Sequence, residues 1–589
     1  GQIPRSSELN ASVVLLAGSR FYGGFLARWL GIDPSRKTPA VELQDGRDFV
    51  PTSPHVLFAH HFSAIAGAGP ILGPTMAVLF GAAPAWIWIV AGGILFGAAH
   101  DLAALFVSVR SGGRSMAEIA RSTLGPAGFT LFILFTLVMI VLVTSAFLAA
   151  TSISLTSMWS LDKLGLDQGQ TLLRTVEDAK GVKLGVIGGI ASTSVVVITL
   201  CSPILGWLIY RKRMPTLPAY AIAAVVCVAS VVVGFVLPIR LDPKVWMVIL
   251  SVYVLIAAGV PVWLILQPRD FINVQILYVG IAVMMAALVT GGLRGLEVSA
   301  PMFNLAEGVS KMGLIWPMLF ITIACGAISG FHSLVASGTT CKQVASEKHV
   351  KYLGYDAMLL ESLLAVCVIL VVASCLDFGD YKSIVFPADP AAKSNPILAF
   401  SLSMGRLIQG AFGIKTAYGT VFGILLVEGF VITTLDATVR LNRYLLEELW
   451  EILLGKGRVP AIMRHPWFNS TISVVAMLML AWTNAFAAIW PIFGTANQLL
   501  AALSLIAVSA WIATRGSGKF PIYTLVPATA MIVTTAASLI MLLPMYAAKA
   551  QWSLMAADAA LLVLAAGVVV VAVLWALRRG RPRPSAAGG

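Results

Sequence analysis

Apolar runs that alternate with short polar segments dominate the chain from residue 55 to residue 577. A run of about 20 apolar residues is long enough to cross a bilayer as an α-helix, so the pattern predicts an all-α polytopic membrane protein with about 14 to 16 transmembrane helices. The clear spans are 55–80, 82–109, 124–153, 184–210, 218–238, 245–268, 271–293, 314–336, 353–376, 417–436, 470–493, 495–514, 521–547 and 556–577.

The two ends of the chain depart from this pattern. Residues 11–29 are half apolar but contain Arg20 and Arg28, which suits either a short first span or a helix at the membrane surface. We therefore divide the chain into three parts. These are an N-terminal part with this helix and a cytoplasmic loop (1–54), a transmembrane domain (55–577) and a basic cytoplasmic tail (578–589).

Composition excludes a soluble protein, because 58% of the residues are apolar, 11% are charged and the mean hydropathy is +0.89. The net charge of +13 comes from basic residues that form no patch interleaved with aromatic residues, so it does not indicate nucleic acid binding. Lys and Arg are instead concentrated in alternate loops, and the positive-inside rule places those loops and the C-terminal tail in the cytoplasm. The six cysteines show no CxxC spacing, which indicates neither a disulfide framework nor a thiolate metal site.

The first apolar run contains an interruption. From His60 to Pro74 it reads HHFSAIAGAGPILGP, with three glycines and two prolines within eight residues, so a continuous helix is not expected. Backbone groups freed at membrane depth persist only where protein or water satisfies them, which favours a binding site for a small polar solute or ion. The alternative is a proline-kinked helix with a structural role only. The predicted substrate ligands in this segment are Gly67, Ala68, Gly69 and Pro70.

Two further segments are candidate interruptions. The eighth predicted span, 314–336, continues into the hydroxyl-rich segment Ala336–Lys342, whose oxygens suit a cation and whose amides suit a carboxylate. In the sixth predicted span, Pro261 interrupts the segment Ala257–Trp263. Inverted five-plus-five transporters have broken first and sixth spans, and the count agrees with that plan. The predicted substrate-binding residues in the eighth span and its extension are Ser329, His332, Ser337, Thr339 and Thr340.

Ionisable side chains inside apolar runs are costly and therefore indicate a partner or a function. A rise of about 1.5 Å per residue places all of them in the half of the bilayer nearer the cytoplasm. Histidine titrates near neutral pH, so a coupling proton is one prediction, and a histidine or carboxyl that only bonds a neighbouring carbonyl or hydroxyl is the alternative. The predicted residues for proton or ion coupling are His60, His61, His100, Asp101, Glu361 and Glu428.

A metal site at His60, His61 and His332 is a lesser alternative. Adjacent histidines lie about 100° apart on a helix, so His60 and His61 need a helix break or His332 to share one ion. At Asp436 the sequence favours a salt bridge with Arg440, which follows four residues later.

Several segments outside the spans also allow predictions. Two longer loops, 154–183 and 377–416, are placed on the outer face, and the part 395–414 is amphipathic and is expected to lie along the membrane surface. Residues 440–454 repeat apolar positions at helical spacing, and a connecting helix is favoured over a helix on the membrane surface. Glycine pairs four residues apart, at 69/73, 93/97 and 185/189, predict close helix contacts.

Blocks throughout the chain closely resemble the carbon starvation protein A family. They are RFYG at 20–23, DPSRKTPA at 33–40, DGRDFVPT at 45–52, HHFSAIAGAGPILGP at 60–74, Asp101, SMAEIARSTLG at 115–125, PVWL at 261–264, PRD at 268–270, FITIACGAISGFHSLVASGTT at 320–340, Asp436-Ala437-Thr438 with Arg440, and WP, FG and ANQ between 490 and 498. The resemblance implies a bacterial inner-membrane importer of peptides or pyruvate, induced when carbon is scarce. It further implies proton coupling and a fold related to the amino acid, polyamine and organocation transporters. The short first span and the short loop 377–416 leave the subfamily, and hence the substrate, open.

These observations together predict a secondary transporter that needs no cofactor beyond the coupling proton, with bound Na+ or metal as an open alternative. In this hypothesis the solute carboxylate rests on amides at Gly67–Gly69 and near Ser329–His332, and a histidine or Glu428 takes the proton. One rival is a solute-sensing receptor without transport, and another is a metal- or cation-dependent transporter. An enzyme is not expected, because the HExxH and GxSxG motifs are absent. The sequence does not determine the oligomeric state.

Overall fold

A computed structural model describes residues 4–45, 49–178, 181–261, 263–389, 392–455, 457–515 and 520–580. It is almost entirely helical, and each of the fourteen predicted spans coincides with a helix or a broken helix. Within the described residues, eleven helices are long and apolar enough to cross a membrane, or twelve if a bent pair counts as one span. The predicted class, an all-α polytopic membrane protein with broken helices, is confirmed. Most of the predicted C-terminal tail, 581–589, lies outside the described residues.

The α-helices are numbered in chain order. They are α1 (Pro4–Gly18), α2 (Gly24–Leu30), α3 (Pro39–Glu42), α4 (Pro54–Ile65), α5 (Gly69–Ala77), α6 (Ala82–Gly92), α7 (Ala98–Arg110), α8 (Met116–Leu124), α9 (Pro126–Ser154), α10 (Ile187–Gly206), α11 (Thr216–Val236), α12 (Pro243–Gly259), α13 (Leu266–Leu293), α14 (Leu305–Met312), α15 (Ile315–Ile323), α16 (Gly330–Gly338), α17 (Ala357–Cys375), α18 (Phe378–Val385), α19 (Pro396–Phe412), α20 (Thr416–Leu454), α21 (Pro466–Thr483), α22 (Phe486–Arg515), α23 (Ile522–Ala548) and α24 (Trp552–Gly580). Short π-helical segments continue several of these helices, at Ser19–Gly23, Gly93–Gly97, Trp207–Arg211 and Tyr352–Asp356.

Two helices are interrupted in the middle of the molecule, and they pack against each other. The first break separates α4 from α5, which are bent by 49°. The second separates α15 from α16, and α5 lies against α15. A Cβ on Gly69 would come within 2.5 Å of the Cys325 Sγ, and one on Gly73 within 2.5 Å of the Thr322 carbonyl oxygen. Glycine is thus required for this close crossing, as the 69/73 spacing predicts.

The second break does not lie where the sequence placed it. It falls at 324–329, whereas the predicted interruption at Ala336–Lys342 is the C-terminal end of α16 followed by a short 3-10 turn. The partner of the broken first span is therefore the eighth predicted span. The sixth span was the wrong choice, because α12 ends at Gly259 and Pro261 lies in the connection to α13. Residue 262 of that predicted segment lies outside the described residues.

Arginines of α20 explain why α12 ends where it does. Arg440 donates to the carbonyl oxygens of Ala257 and Val260, and Arg443 donates to that of Ala258. These are the last carbonyls of α12, which have no partner within the helix. Cationic side chains also stabilise the negative end of a helix dipole. The start of α13 then includes Pro268, which the sequence had assigned to the end of the sixth span, and Arg269, which it had assigned to the connection between spans.

The boundary between α21 and α22 also differs from the prediction at 493–495. Asn484 has extended backbone angles and ends α21, and its side chain donates to the carbonyl oxygen of Leu480 and to Ser553 on α24. Pro491 lies inside α22 rather than at a boundary. Its position in the second turn removes only one helical hydrogen bond.

The two predicted outer loops pack together. Within the first, β1 (Trp159–Ser160), β3 (Lys183–Gly185) and β2 (Thr175–Glu177) form an antiparallel sheet in the order β1-β3-β2. Lys163 pairs with Asp380 of α18, and Asn395 donates to Ser157 at 2.7 Å. The predicted surface location of 395–414 is wrong, because α19 is buried over most of its length. Its serines donate to carbonyls of their own helix, so the polar positions need no contact with water.

Helix α20 is 39 residues long, or about 58 Å at a rise of about 1.5 Å per residue, and therefore extends well beyond a bilayer core of about 30 Å. The segment 440–454 is its last part, which agrees with the favoured connecting helix. At the N-terminus, α1 and α2 form one continuous helix with the π segment between them, and this helix packs against α17, α6 and α7.

The segment before α4 links the two broken helices. Backbone amides of Val50 and Thr52 donate to the carbonyl oxygens of Lys342 and Gln343, at 3.2 and 3.0 Å. Thr52 and Val344 form a parallel β-bridge. We call this contact the 52/344 bridge. It joins the start of α4 to the chain that follows α16.

Candidate functional site

A small cavity lies where the two breaks meet. Its volume of about 30 Å³ is enough for one or two water molecules, so the breaks are closed around it in this conformation. Its walls come from both breaks and from α9, α20 and α22. The lining residues are Ile65, Gly67, Gly69, Met139, Val143, Phe147, Cys325, Ser329, Phe331, Thr434, Thr438, Phe493 and Asn497.

Side chains of α22 satisfy the backbone groups that the second break frees. The indole of Trp490 donates to the Thr322 carbonyl oxygen at 3.0 Å, and the Gln498 amide donates to that of Phe320 at 2.8 Å. Because an unsatisfied backbone group in a bilayer costs several kcal/mol, these bonds allow the interruption to persist. At the same break, Ala324 has a φ of 38°, in the left-handed region that residues with a Cβ rarely adopt.

Asn497 is the polar centre of the cavity wall. Its side-chain oxygen accepts from the amide of Phe331 at 3.0 Å, and its nitrogen donates to the hydroxyl of Ser329 at 3.0 Å and to the Sγ of Cys325 at 3.3 Å. Ser329 is among the substrate-binding residues predicted from the sequence, whereas Asn497 appears there only within the ANQ block. A carboxamide inside a run of apolar residues was the signal that would have identified it.

The first break contributes backbone groups to the cavity wall. Gly67 and Gly69 line the cavity, and Ala68 and Pro70 are buried beside them. Helix α5 begins at Gly69, Pro70 has no N–H, and the amides of Ile71 and Leu72 donate to the carbonyl oxygen of Ala68 at 3.1 and 2.9 Å. Thr434 of α20 lies close to Gly67, where an added Cβ would be 3.2 Å from its hydroxyl. Thr434 and Thr438 line the cavity but were not predicted from the sequence.

The structure joins four of the predicted ionisable residues into one buried chain. The Nδ1 of His100 lies 2.7 Å from one oxygen of Asp101, and the other oxygen of Asp101 lies 2.7 Å from the Nδ1 of His332. The Nε2 of His332 is 3.1 Å from an oxygen of Glu361. All four side chains are at most 1% exposed. We call Asp101, His332 and Glu361 the carboxyl–histidine triad, which connects α7, α16 and α17.

The triad holds its imidazole between two carboxyl groups. Both ring nitrogens carry a hydrogen only in the protonated imidazolium, and a neutral ring requires one of the two carboxyls to carry the proton instead. A proton of the triad can thus reside on the ring or on a carboxyl group, and these groups belong to three helices. His332 was predicted to bind substrate, but it does not line the cavity.

His60 and His61 have different surroundings. The Nδ1 of His61 lies 2.8 Å from the hydroxyl of Thr340, and its ring is fully buried, whereas His60 is exposed. The structure thus does not bring His60, His61 and His332 together as metal ligands. Among the residues it describes, no three His, Cys, Asp or Glu side chains form a group suited to a metal ion.

Two other predicted substrate residues lie away from the cavity. Ser337 accepts from the amide of Met116 at 3.1 Å and donates to the carbonyl oxygen of Ser333. Thr339 is exposed and donates to the carbonyl oxygen of Val335. Both hydroxyls therefore stabilise the end of α16 in this conformation.

The predicted salt bridge between Asp436 and Arg440 is wrong. Asp436 pairs with the buried Arg269 of α13 at 2.6 Å and accepts from the Tyr253 hydroxyl at 2.6 Å. Arg440 is bound by the last carbonyls of α12, as described above. Spacing along one helix could not reveal these competing partners on α12 and α13.

The chain is similar to known transporters in structure and in sequence. MhsT in complex with L-phenylalanine gives a TM-score of 0.48 at 12% identity, over 83% of this chain and 99% of that chain. A manganese transporter of Eremococcus coleocola gives a TM-score of 0.44 at 10% identity, over 91% of this chain and 99% of that chain.

Curated relatives are closer in sequence. The peptide transporter CstA of Bacillus subtilis is 30% identical, over 84% of this chain and 83% of its own length. The peptide transporter CstA of Escherichia coli is 29% identical, over 90% and 81%, and the pyruvate/proton symporter BtsT of the same bacterium is 29% identical, over 89% and 79%. These relatives are named as transporters, which confirms that the chain is not of an enzyme family. Residues 9–395 and 383–538 match the family described as carbon starvation protein CstA, and the chain belongs to that family.

Proposed function

We propose that this protein is a secondary transporter of the bacterial inner membrane that imports peptides or pyruvate, driven by a proton gradient. The main support is the meeting of two broken helices at a cavity, with His332 of the buried carboxyl–histidine triad on the helix that follows one break. Broken helices at membrane depth are a recurrent way of binding small charged solutes. The names of the curated relatives support both substrate classes.

The carboxylate that peptides and pyruvate share is the group proposed to bind at the breaks. The N-terminus of α5 offers the positive end of a helix dipole and the amides of Ala68 and Gly69, which make no backbone hydrogen bond among the described residues, and Gly67 and Gly69 allow close approach. The amide of Asn497 is a further donor once its present contacts open. Met139, Val143 and Phe147 of α9 form an apolar wall for the rest of the solute.

Proton coupling is assigned to the triad of Asp101, His332 and Glu361. Loss or gain of its shared proton changes the charge on groups that hold α7, α16 and α17 together. Because α16 begins directly after Ser329 of the second break, a change at His332 reaches the cavity wall within one turn of helix. The coupling proposed here thus needs no further cofactor.

The test is uptake of labelled alanyl dipeptide and of labelled pyruvate into proteoliposomes, with an alkaline interior and with the pH gradient collapsed by an ionophore. The gradient is expected to accelerate uptake of at least one solute by the unmodified protein. His332→Gln is expected to abolish that acceleration while exchange of labelled for unlabelled solute continues. His60→Gln is the matched control, because His60 is exposed and outside the triad. Full acceleration in His332→Gln would remove the triad from the coupling mechanism.

The same preparation discriminates between the rival functions. A receptor that binds without transport would show solute binding but no exchange across the vesicle membrane. A metal-dependent transporter would lose uptake on chelation and regain it with added metal. Neither outcome is compatible with the proposed proton symport.

The proposed orientation places the C-terminus in the cytoplasm, because basic residues are concentrated in the loops on that side. A fluorescent protein fused to the C-terminus is expected to fluoresce in intact bacteria, and alkaline phosphatase fused at the same point is expected to be inactive. The reverse pattern would contradict this orientation.

A further inference from the structure

A second polar group lies deep in the molecule, on α9 and α20 and not on the helices of the triad. Glu428 of α20 faces Thr151 and Ser154 of α9, and all three side chains are fully buried. Neither carboxyl oxygen has a hydrogen-bond partner among the described residues, and neither hydroxyl has one. Four buried side-chain oxygen atoms are thus gathered between α9 and α20.

The two hydroxyls depart from the pattern of their own helix. A Ser or Thr in a membrane helix normally donates to a carbonyl one turn earlier. Thr136, Thr144 and Ser145 of α9 do so, and Ser152 donates to the carbonyl oxygen of Ala149. Thr151 and Ser154 are therefore distinguished by facing the carboxyl group of Glu428.

No side chain in the described part of the chain forms an ion pair with this carboxyl group. The charged side chain that acts on it is Arg269, but Arg269 is already paired with Asp436 at 2.6 Å. A buried carboxylate with no partner is strongly unfavourable, so it must bind a cation or carry a proton. The hydroxyls of Thr151 and Ser154 are the side-chain groups that face it, and each can present an oxygen to a cation.

We propose that Glu428, Thr151 and Ser154 form a binding site for one dehydrated sodium ion. Oxygen ligands suit a hard cation, and the single negative charge of Glu428 balances a monovalent one. A divalent cation would leave a net positive charge in the bilayer and is generally held by more than one carboxylate. The site is separate from the triad, so sodium binding and proton coupling are distinct properties of the protein.

The position of the sodium site relates it to the cavity. Phe147 lies four residues before Thr151 on α9, and Thr434 lies six residues after Glu428 on α20, and both Phe147 and Thr434 line the cavity. These separations are about 6 Å and 9 Å along the two helices. A bound sodium ion would hold α9 and α20 together beside the cavity and stabilise the closed arrangement of its wall.

The experiment measures the apparent Tm of the purified protein in detergent, in NaCl, KCl and choline chloride at equal ionic strength and constant pH. Sodium is expected to raise the Tm of the unmodified protein in a saturable way, and KCl and choline chloride are not. Glu428→Gln is expected to abolish the sodium effect. Thr151→Val and Ser154→Ala are expected to weaken sodium binding by roughly tenfold or more each, as loss of a ligand implies.

The control is Ser152→Ala, which removes a hydroxyl from the same helix turn that is bonded to its own backbone and is expected to keep the full sodium effect. Equal Tm values in the three salts would overturn the proposal, as would stabilisation by lower pH alone. A sodium effect that persists in Glu428→Gln would place the ion elsewhere. The readout does not involve peptide or pyruvate, so failure of the proposed transport function would leave this result unaffected.

Discussion

The crossing of the two broken helices can be tested by adding a single methyl group. Gly73 of α5 lies so close to α15 that a Cβ would be 2.5 Å from the Thr322 carbonyl oxygen, 2.9 Å from that of Ile323 and 3.1 Å from the Ile323 Cα. All three atoms belong to the backbone, so no side chain can rotate away. The substitution Gly73→Ala must therefore separate the helices or distort one of them.

The size of the effect follows from these distances. Ordinary van der Waals contact begins at 3.4 Å, so the helices must move apart by about 0.9 Å at the crossing. Overpacking of this kind typically costs about 1–3 kcal/mol. Alanine also favours the helix by about 1 kcal/mol over glycine, which offsets part of this cost. We expect a net loss of roughly 1–2 kcal/mol of stability.

The assay combines the apparent Tm in detergent with uptake in proteoliposomes. Gly73→Ala is expected to lower the Tm by a few degrees and to reduce uptake more strongly, because the shift displaces the cavity wall at Cys325. Gly410→Ala is the matched control, since Gly410 lies in α19 with nothing within 4 Å of an added Cβ. The control is expected to be neutral or slightly stabilising.

The reasoning would be refuted if Gly73→Ala behaved like Gly410→Ala in both measurements. Such a result would mean that α5 and α15 do not approach each other as closely as described. Lower uptake with an unchanged Tm would instead indicate that the crossing matters for movement but not for stability.

Further substitutions address other parts of the site. Trp490→Phe leaves the Thr322 carbonyl unpaired and is expected to cost about 1–3 kcal/mol, seen as a lower Tm and more cleavage by added protease. Asp436→Asn is expected to destabilise the protein by about 3–5 kcal/mol because it leaves the buried Arg269 charge unpaired, and a double variant that replaces both residues with Leu and Met should recover most of this loss. Asn497→Leu removes the acceptor at the second break and is expected to raise the KM for the transported solute at least tenfold, whereas an unchanged KM would contradict its proposed place in the binding site.

The spans and the first break were predictable from the sequence because their causes are local. Runs of apolar residues have the length of a bilayer, and the glycines and prolines between Gly67 and Pro74 directly limit helix formation. The second break has a weaker local signal. It depends on Trp490 and Gln498, which satisfy its free carbonyls from a helix more than 150 residues away.

The members of the triad were all identified in the sequence, but their assembly was not. Asp101, His332 and Glu361 are costly in a bilayer wherever they face, so each could be selected alone. Their contacts depend on the packing of three helices, with 231 residues between Asp101 and His332. For Asp436 the local sequence was misleading. Arg440, four residues away, was the predicted partner, but in the folded protein Asp436 pairs with Arg269 of another helix.

Helix ends were the least predictable feature for a similar reason. The end of α12 is stabilised by arginines of α20, and the end of α21 by the side chain of Asn484. In both places the hydrophobic pattern continues past the true boundary, so hydropathy alone moved the boundary by several residues.

The 52/344 bridge connects two chain segments that are far apart in sequence, so that they move together. A pair of backbone hydrogen bonds and a β-bridge couple residues 50–52, directly before α4, to residues 342–344, shortly after α16. His61, about two helix turns into α4, adds a side-chain contact with Thr340. A rotation of α4 is therefore transmitted to α16, and the reverse also holds. A passage can open at this end of the protein only if both helices move together or if the 52/344 bridge breaks.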